Sequence, residues 1–526
     1  MAAEMDVDQC WEMLLNPGRR KKEARAEESA TPQDHSATDG DTQRNSNEDT
    51  RTEIERDYDR ILFSTPVRRL ADKTQVFPLD QHDSVRTRLT HSHEVSNLAR
   101  SIGTTLTFDS GIAGKKARAA RDLPSLLAAV GLVHDLGNPP FGHQGEVAIQ
   151  SWFKDYEGDV LSRLSTEQQK QDFKRFEGNA QGFRLVTRLQ LLNDNFGLDL
   201  TYATLAAMMK YPTCSDQTNK ARAATKKHGF FASEQEIAER VLERTGLELG
   251  KRHAAAYIME ACDDIAYVVL DVEDAVKKGL ASFPDLMAYL RCHGKHAIVE
   301  KLIRDSEEKH EAYRRNSTLS PDELNDVSMQ RFRVFAIGTM VRAATKTFIE
   351  KQSEFVYGTA DESLLAGSEV ELLRKLLKEF GLKHGYTHRS VLKIELDGYN
   401  VLRSLMDMLW AAIVDRENDD DAGSDRVHPF SRYVYLRISE NYRRVFEHPS
   451  DDVAMLPMRY RECLLLTDMI SGMTDSYAIN LHAELKGQIG EFDPVAIRVK
   501  KSHEGGSVRK PFRVTGGRHS TKVCAR

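Results

Sequence analysis

The sequence predicts a mainly α protein, and three observations carry that prediction. Long segments keep a helical period of apolar residues: Ala203 to Lys210, Glu234 to Leu242, Phe332 to Ile349, Leu364 to Phe380, Val401 to Val414 and Met458 to Leu485. Strand signals are few and short, and hairpin-type turn pairs are rare. The apolar run Leu126 to Val133 leads straight into His134 and Asp135, after which Gly137, Asn138, Pro139 and Pro140 stop the helix.

Composition narrows the class. At 526 residues the chain is long enough for about two to four domains. Charged residues at 29% and hydrophobic ones at 40% are the balance of a soluble globular protein. The net charge of -6 gives no global case for nucleic-acid binding, although local basic clusters can still handle phosphate. Cys10, Cys214, Cys262, Cys292, Cys463 and Cys524 form no C-x-x-C pair, so any metal must be held by nitrogen and oxygen. The acidic, mixed opening is no signal peptide, and no apolar run nears the ~18 residues of a membrane span. A cytoplasmic protein without membrane contact is expected.

In chain order, Trp11, Leu14 and Leu15 mark a short amphipathic opening. Asn16 to Thr52 then carry almost no large apolar residue, and a disordered or loosely held segment is expected there. Order begins near Ile54, with helical spacing from Asp57 to Leu70 around Pro66. Arg86, Arg88, His91 and His93 concentrate cations and ring nitrogens just before the helical pattern Val95, Leu98, Ala99, Ile102, and Arg88 and His91, three apart, share a face. Next comes the stretch LLAAVGLVHDLGNPPFGHQGE, in which His143 and Glu146 follow the double proline as groups suited to moving protons.

From Tyr257 to Val276 a largely apolar helix carries Asp263, Tyr267 and Asp271 at every fourth position, so all three project from one side. Acids on a buried face cost several kcal/mol unless a cation or donors meet them. A row of helix salt bridges is the competing reading. Glu417 to Asp425 reads as an acidic surface loop, and the basic, Gly-rich stretch after Gln488 as a poorly ordered tail.

His91, His134, Asp135 and Asp263 form a nitrogen and oxygen donor set without thiolate. It suits Mn, Mg, Fe, Co or Ni better than a structural zinc, and four protein ligands on an octahedral ion leave room for water and a substrate oxygen. A catalytic metal is expected.

The order H, HD, D, set in RLTHS, HDLGNPPFGHQGE, FEGNAQGFRL and DDIAY, resembles the HD-domain deoxynucleoside triphosphate triphosphohydrolases, in their bacterial deoxyguanosine triphosphate (dGTPase) branch. The likeness runs from about Asp57 to Ala478. It implies an HD-domain helical fold, with an HD core at 53–280, a helical C-terminal region at 281–487 completing the pocket and the oligomer contacts, and flanking segments 1–52 and 488–526. It also implies release of tripolyphosphate from dGTP by water attacking the α-phosphorus. By the same resemblance Asp263 rather than Asp264 is the ligand, and His143 with Glu146 is the catalytic dyad, activating water or protonating the leaving oxygen. Arg88, Asn138, Asn179, Lys210, Tyr211, Lys227 and Arg333 would bind the triphosphate. Gln75 and Asp271 would grip the sugar 3'-hydroxyl, Tyr267 would exclude a 2'-hydroxyl, and Glu395 would face guanine. A homo-oligomer, with a hexamer as one form, and response to single-stranded DNA are further implications. The alternatives are a broad dNTP triphosphohydrolase or other HD nucleotide phosphohydrolase, and a nucleic-acid-binding protein whose metal site is structural.

Overall fold

In the computed structural model, which describes residues 6–30, 50–75, 86–113, 119–190, 194–315 and 318–497, the apolar run becomes helix Asp122–Val133. It is buried from Leu123 through Val133 except at Ser125. A helix so uniformly apolar can sit only inside, and it packs against Arg88–Thr104 and Glu53–Leu62. A Cβ on Gly131 would lie 2.7 Å from the Cα of Ser96, so the two backbones touch where only glycine fits. Ser96 Oγ seals the contact by donating to the Ala128 carbonyl at 2.8 Å.

The long helix Ala254–Lys277 crosses this pair. His253 caps it, its ring accepting from the Ala255 amide at 3.0 Å, and three alanines open the first turn. At 24 residues it extends about 36 Å, and it carries Asp263 and, two turns further along, Asp271. Helices Pro321–Glu350 and Glu371–Gly381 cover it, while Arg389–Val414 covers Gly142–Asp155.

The mainly α expectation is borne out: among the described residues β pairing is limited to isolated bridges of Arg19 with Thr201, Thr74 with Thr87 and Arg416 with Arg426. None of the described helices is long and apolar enough to cross a membrane. Three segments depart from the pattern reading. Arg20–Ala30 is a helix rather than a loosely held stretch, because Arg19 just before it reaches the buried Asp57 at 2.8 Å and Tyr202 donates to Glu23 at 2.5 Å. The period from Met458 to Leu485 is two helices, Met458–Gly472 and Asp475–Gln488, since Thr474 accepts from the Tyr477 amide and starts a new one. The helix expected from Leu364 begins only at Glu371. Residues 31–49 of the polar N-terminal segment and most of the basic tail lie outside the described residues.

Candidate active site

The close approach at Gly131 brings two imidazoles together. His91, in the first turn of Arg88–Thr104, and His134, at the end of Asp122–Val133, stand 5.5 Å apart between ring centroids. His134 Nδ1 bonds the Gly131 carbonyl at 2.8 Å, which fixes the ring and turns Nε2 inward. That buried Nε2 has no hydrogen-bond partner and lies 3.5 Å from Asp263 Oδ1. The same oxygen is 3.2 Å from His91 Nε2. One ligand atom from each of His91, His134 and Asp263 falls within 4.8 Å of the others.

Asp135 sits at the edge of this cluster rather than within it. Its Oδ2 accepts from Arg88 Nη1 at 2.7 Å and its Oδ1 from Asn138 Nδ2 at 2.5 Å, although Oδ2 is still 3.6 Å from His134 Nε2. Burial disfavours charge on His134, yet Asp135 and Asp263 outweigh it and push its pKa up to about 9. Burial likewise opposes ionisation of Asp263, and His134, His91 and Lys210 overcome it, holding the carboxyl well below its usual range. A pocket that draws positive charge onto an imidazole, beside an unpartnered ring nitrogen, fits a divalent cation. Asp264 points elsewhere, toward Arg374 at 3.6 Å.

Beyond the prolines the chain turns through Phe141, whose φ of 59° is left-handed and costs on the order of 1 kcal/mol for a residue with a side chain. Its amide is held by Asp475 Oδ1 at 3.0 Å. This turn starts helix Gly142–Asp155 and presents His143, whose Nδ1 lies 3.4 Å from the buried Glu146. The hydrogen bond to Glu146 raises the His143 pKa above its usual value. Burial works against the Glu146 charge, but His143 and Lys227 hold its pKa below the ordinary value. Glu146 Oε1 also accepts from the Gly178 amide at 2.8 Å, which ties the dyad to the FEGNAQ turn. A Cβ on Gly137 would lie 2.1 Å from the Gly178 carbonyl, so that turn rests directly on the HDLGN turn.

Cations and polar groups ring these clusters. Lys227 Nζ contacts Glu177 at 2.6 Å, and Asn179 donates to the other oxygen of Glu177 at 2.7 Å. Lys210 Nζ lies 3.7 Å from Asp263 and 3.5 Å from Glu260, with Tyr211 beside it. Two turns along Ala254–Lys277 from Asp263, Asp271 accepts from the Tyr386 hydroxyl, and Tyr386 stacks on Tyr267 at 5.8 Å. Gln75 follows Thr74, which bridges Thr87 at the start of the Arg88 helix, and its Oε1 is buried without a partner. Glu395 is half-buried and feels the charge of His143. Arg333 Nη1 is forked onto the two carboxylate oxygens of Glu273 at 2.8 and 2.9 Å.

Sequence reasoning missed four groups at this site. Glu260 and Glu177 hold the lysines, and Glu260 was findable, because it lies three residues before Asp263 on the same buried helix. Tyr386 sits in a π-helical turn, Leu382–Tyr386, that no period announces. Lys73 Nζ donates to the carbonyls of Asn138 and Ser471, both at 2.7 Å, and ties the HDLGN turn to the C-terminal helices.

Comparison with known proteins adds to this geometry. A model of the HD domain matches residues 88–181, the span from Arg88 past Asn179. The chain is 33% identical over 488 residues to a deoxyguanosinetriphosphate triphosphohydrolase-like protein of Listeria monocytogenes, covering 91% of this chain and 99% of that relative. It is 33% identical over 461 residues to a probable deoxyguanosinetriphosphate triphosphohydrolase of Pseudomonas aeruginosa, covering 81% and 91%. With the deoxyguanosinetriphosphate triphosphohydrolase of Serratia proteamaculans it shares 31% over 485 residues, covering 82% and 93%.

Proposed function

The chain belongs to the HD-domain deoxyguanosinetriphosphate triphosphohydrolase family, a family of hydrolases, and from that premise we propose that it cleaves dGTP to deoxyguanosine and inorganic tripolyphosphate. Water attacks the α-phosphorus. The observation that carries this reading is the convergence of His91, His134 and Asp263, from two separate helices and a helix end, beside the Arg88 and Asp135 pair.

His91, His134 and Asp263 would hold the divalent cation, Mn or Mg first and Fe, Co or Ni also compatible, with Asp135 at the edge. When bound it supplies Lewis acidity toward a phosphoryl oxygen and water. Arg88 presents a guanidinium to the triphosphate while steadying Asp135. Asn138, Asn179, Lys210, Tyr211, Lys227 and Arg333 add donors and charge. Glu146 orients His143, which takes a proton from water or gives one to the leaving oxygen. Tyr267 flanks the sugar, Gln75 and Asp271 take its 3'-hydroxyl, and Glu395 accepts from guanine. Assembly as a homo-oligomer such as a hexamer, response to single-stranded DNA and a cytoplasmic location belong to the same proposal.

The test is a panel of the four dNTPs and GTP, assayed with Mn²⁺ and with Mg²⁺ for tripolyphosphate. Tripolyphosphate from dGTP alone supports the proposal as stated. Release from all four dNTPs at similar kcat/KM replaces it with the broader dNTP triphosphohydrolase, and orthophosphate or pyrophosphate as product overturns it. DNA binding that survives His134→Ala with no hydrolysis at all would favour the nucleic-acid reading.

A further inference from the structure

Three cations converge on the single carboxylate of Glu260. Lys226 Nζ lies 3.3 Å from its Oε1, and Lys210 Nζ lies 3.5 Å from that same oxygen. Arg252, fully buried, donates to Oε2 at 2.6 Å and to the Ala223 carbonyl at 2.7 Å. The buried ring of Tyr211 faces all three, with Lys210, Lys226 and Arg252 at 5.9, 5.5 and 5.5 Å from its centroid. Arg252 is also 4.7 Å from the Tyr257 ring, so it is clamped between two aromatic walls.

The charges around this cluster do not balance locally. Glu260 faces three cations, Asp263 is shared between Lys210 and the two imidazoles, and Asp264 is taken by Arg374. The neighbouring Lys227 has a carboxylate of its own in Glu177. Lys226 does not, and its side chain is 41% exposed while Glu260 and Arg252 are buried. Its ammonium therefore stands at the mouth of a cationic cluster that begins at the metal-binding Asp263 and runs outward through Lys210. Positive charge held in a partly dry site is stabilised by an anion, and several lysines in a row suit an extended polyanion better than a single charge.

We propose that Lys226 is a further substrate-binding residue, gripping the distal end of the triphosphate, and that the Arg252 and Glu260 pair positions it together with Lys210. This rests on the hydrolytic reading above. The triphosphate leads away from the α-phosphorus at the metal cluster along Lys210 and ends at Lys226. Glu260 keeps both lysines extended toward it, and Arg252 keeps Glu260 in place. Lys226 thereby binds the same part of the substrate that leaves as tripolyphosphate.

Two measurements on the full-length protein test this: steady-state kinetics with dGTP, and calorimetric binding of inorganic tripolyphosphate at fixed free Mn²⁺, which needs no turnover. Lys226→Ala is expected to raise KM and weaken tripolyphosphate binding, each on the order of tenfold, with kcat changed far less. Lys226→Arg is expected to restore most of both, and the exposure of Lys226 makes either variant compatible with folding, which a melt checks. If wild type hydrolyses dGTP while Lys226→Ala keeps both KM and tripolyphosphate affinity, or loses kcat alone, the proposal is overturned. If wild type hydrolyses no dNTP yet binds tripolyphosphate in a Lys226-dependent way, the anion site stands and the hydrolytic reading falls.

Discussion

Tyr386 donates its hydroxyl to the carboxyl of Asp271, a residue 115 positions earlier in the chain, while its ring stacks on Tyr267. One side chain thus fixes both groups that follow Asp263 along the Ala254–Lys277 helix. Burial pushes the Asp271 carboxyl well above its usual pKa, and the Tyr386 hydrogen bond works against that rise. Tyr386→Phe keeps the stacked ring and removes the donor. It is expected to raise KM for dGTP by about three- to tenfold and to narrow the preference for dGTP over GTP, because Asp271 and Tyr267 lose their common anchor. Comparing kcat/KM for the two nucleotides checks this; an unchanged ratio and an unchanged KM would take Tyr386 out of the pocket.

Asp263 and Asp264 are adjacent, yet one faces two imidazoles and the other faces Arg374. Asp263→Asn should therefore lower Mn²⁺ affinity by at least tenfold and abolish turnover, whereas Asp264→Asn should leave Mn²⁺ binding within about twofold. Titration calorimetry with Mn²⁺ alone reads the difference without substrate. Equal losses in the two variants would mean that the cluster is not the metal site.

What the sequence revealed and what it hid divide along contact range. The apolar run before His134 and the four-residue spacing from Asp263 to Asp271 are local patterns, and both emerged as buried helix with the polar groups on the expected face. The close backbone contact of Gly131 with Ser96 is not local, so the meeting of His91 with His134 was legible only through the chemistry of the donor set and the family resemblance of its motifs. Arg20–Ala30 has no large apolar residue, and its order comes from partners such as Asp57, Asp194 and Tyr202, which no window on that segment contains. The pairing of Asp135 with Arg88, 47 residues apart, was hidden in the same way, and it is what turns that carboxylate toward the edge of the cluster.

Lys73 joins the HDLGN turn to the C-terminal helices through two carbonyls. Lys73→Met removes both donors, and each buried carbonyl left without a partner costs about 1 to 3 kcal/mol. A lower melting temperature is expected. Burial, with Arg88 adding repulsion, brings the Lys73 pKa down to about 7. The unfolded chain keeps that proton to roughly pH 10.4, so between about pH 7 and 10 it binds more protons than the folded one. Stability of wild type relative to Lys73→Met should therefore rise with pH across that window. A difference that is flat from pH 7 to 9.5 in denaturant melts would show that Lys73 stays charged in the fold.

The His143 and Glu146 pair gives a pH signature with a definite direction. His143 has its pKa raised, first by the hydrogen bond to Glu146, and Glu146 has its own lowered by His143 and Lys227 against the effect of burial. A base whose folded pKa is raised stabilises the fold below its unfolded value, roughly pH 6.5, and that contribution fades as pH climbs through the folded value. An acid whose folded pKa is lowered stabilises above its unfolded value, roughly pH 4.3, and that contribution is lost as pH falls through the folded value. The pair therefore contributes most between about pH 4.3 and 6.5. In catalysis the same coupling sets a limb of kcat/KM: rising with pH if neutral His143 takes a proton from water, falling if the imidazolium supplies one to the leaving oxygen. Glu146→Gln removes the main cause of the shift, so the midpoint of whichever limb belongs to His143 should move to lower pH, with turnover reduced on the order of a hundredfold. His143→Ala should abolish that limb. A profile whose midpoints are the same in wild type and Glu146→Gln would separate the dyad from the chemistry, and the slope of the shifted limb assigns His143 to one proton transfer or the other.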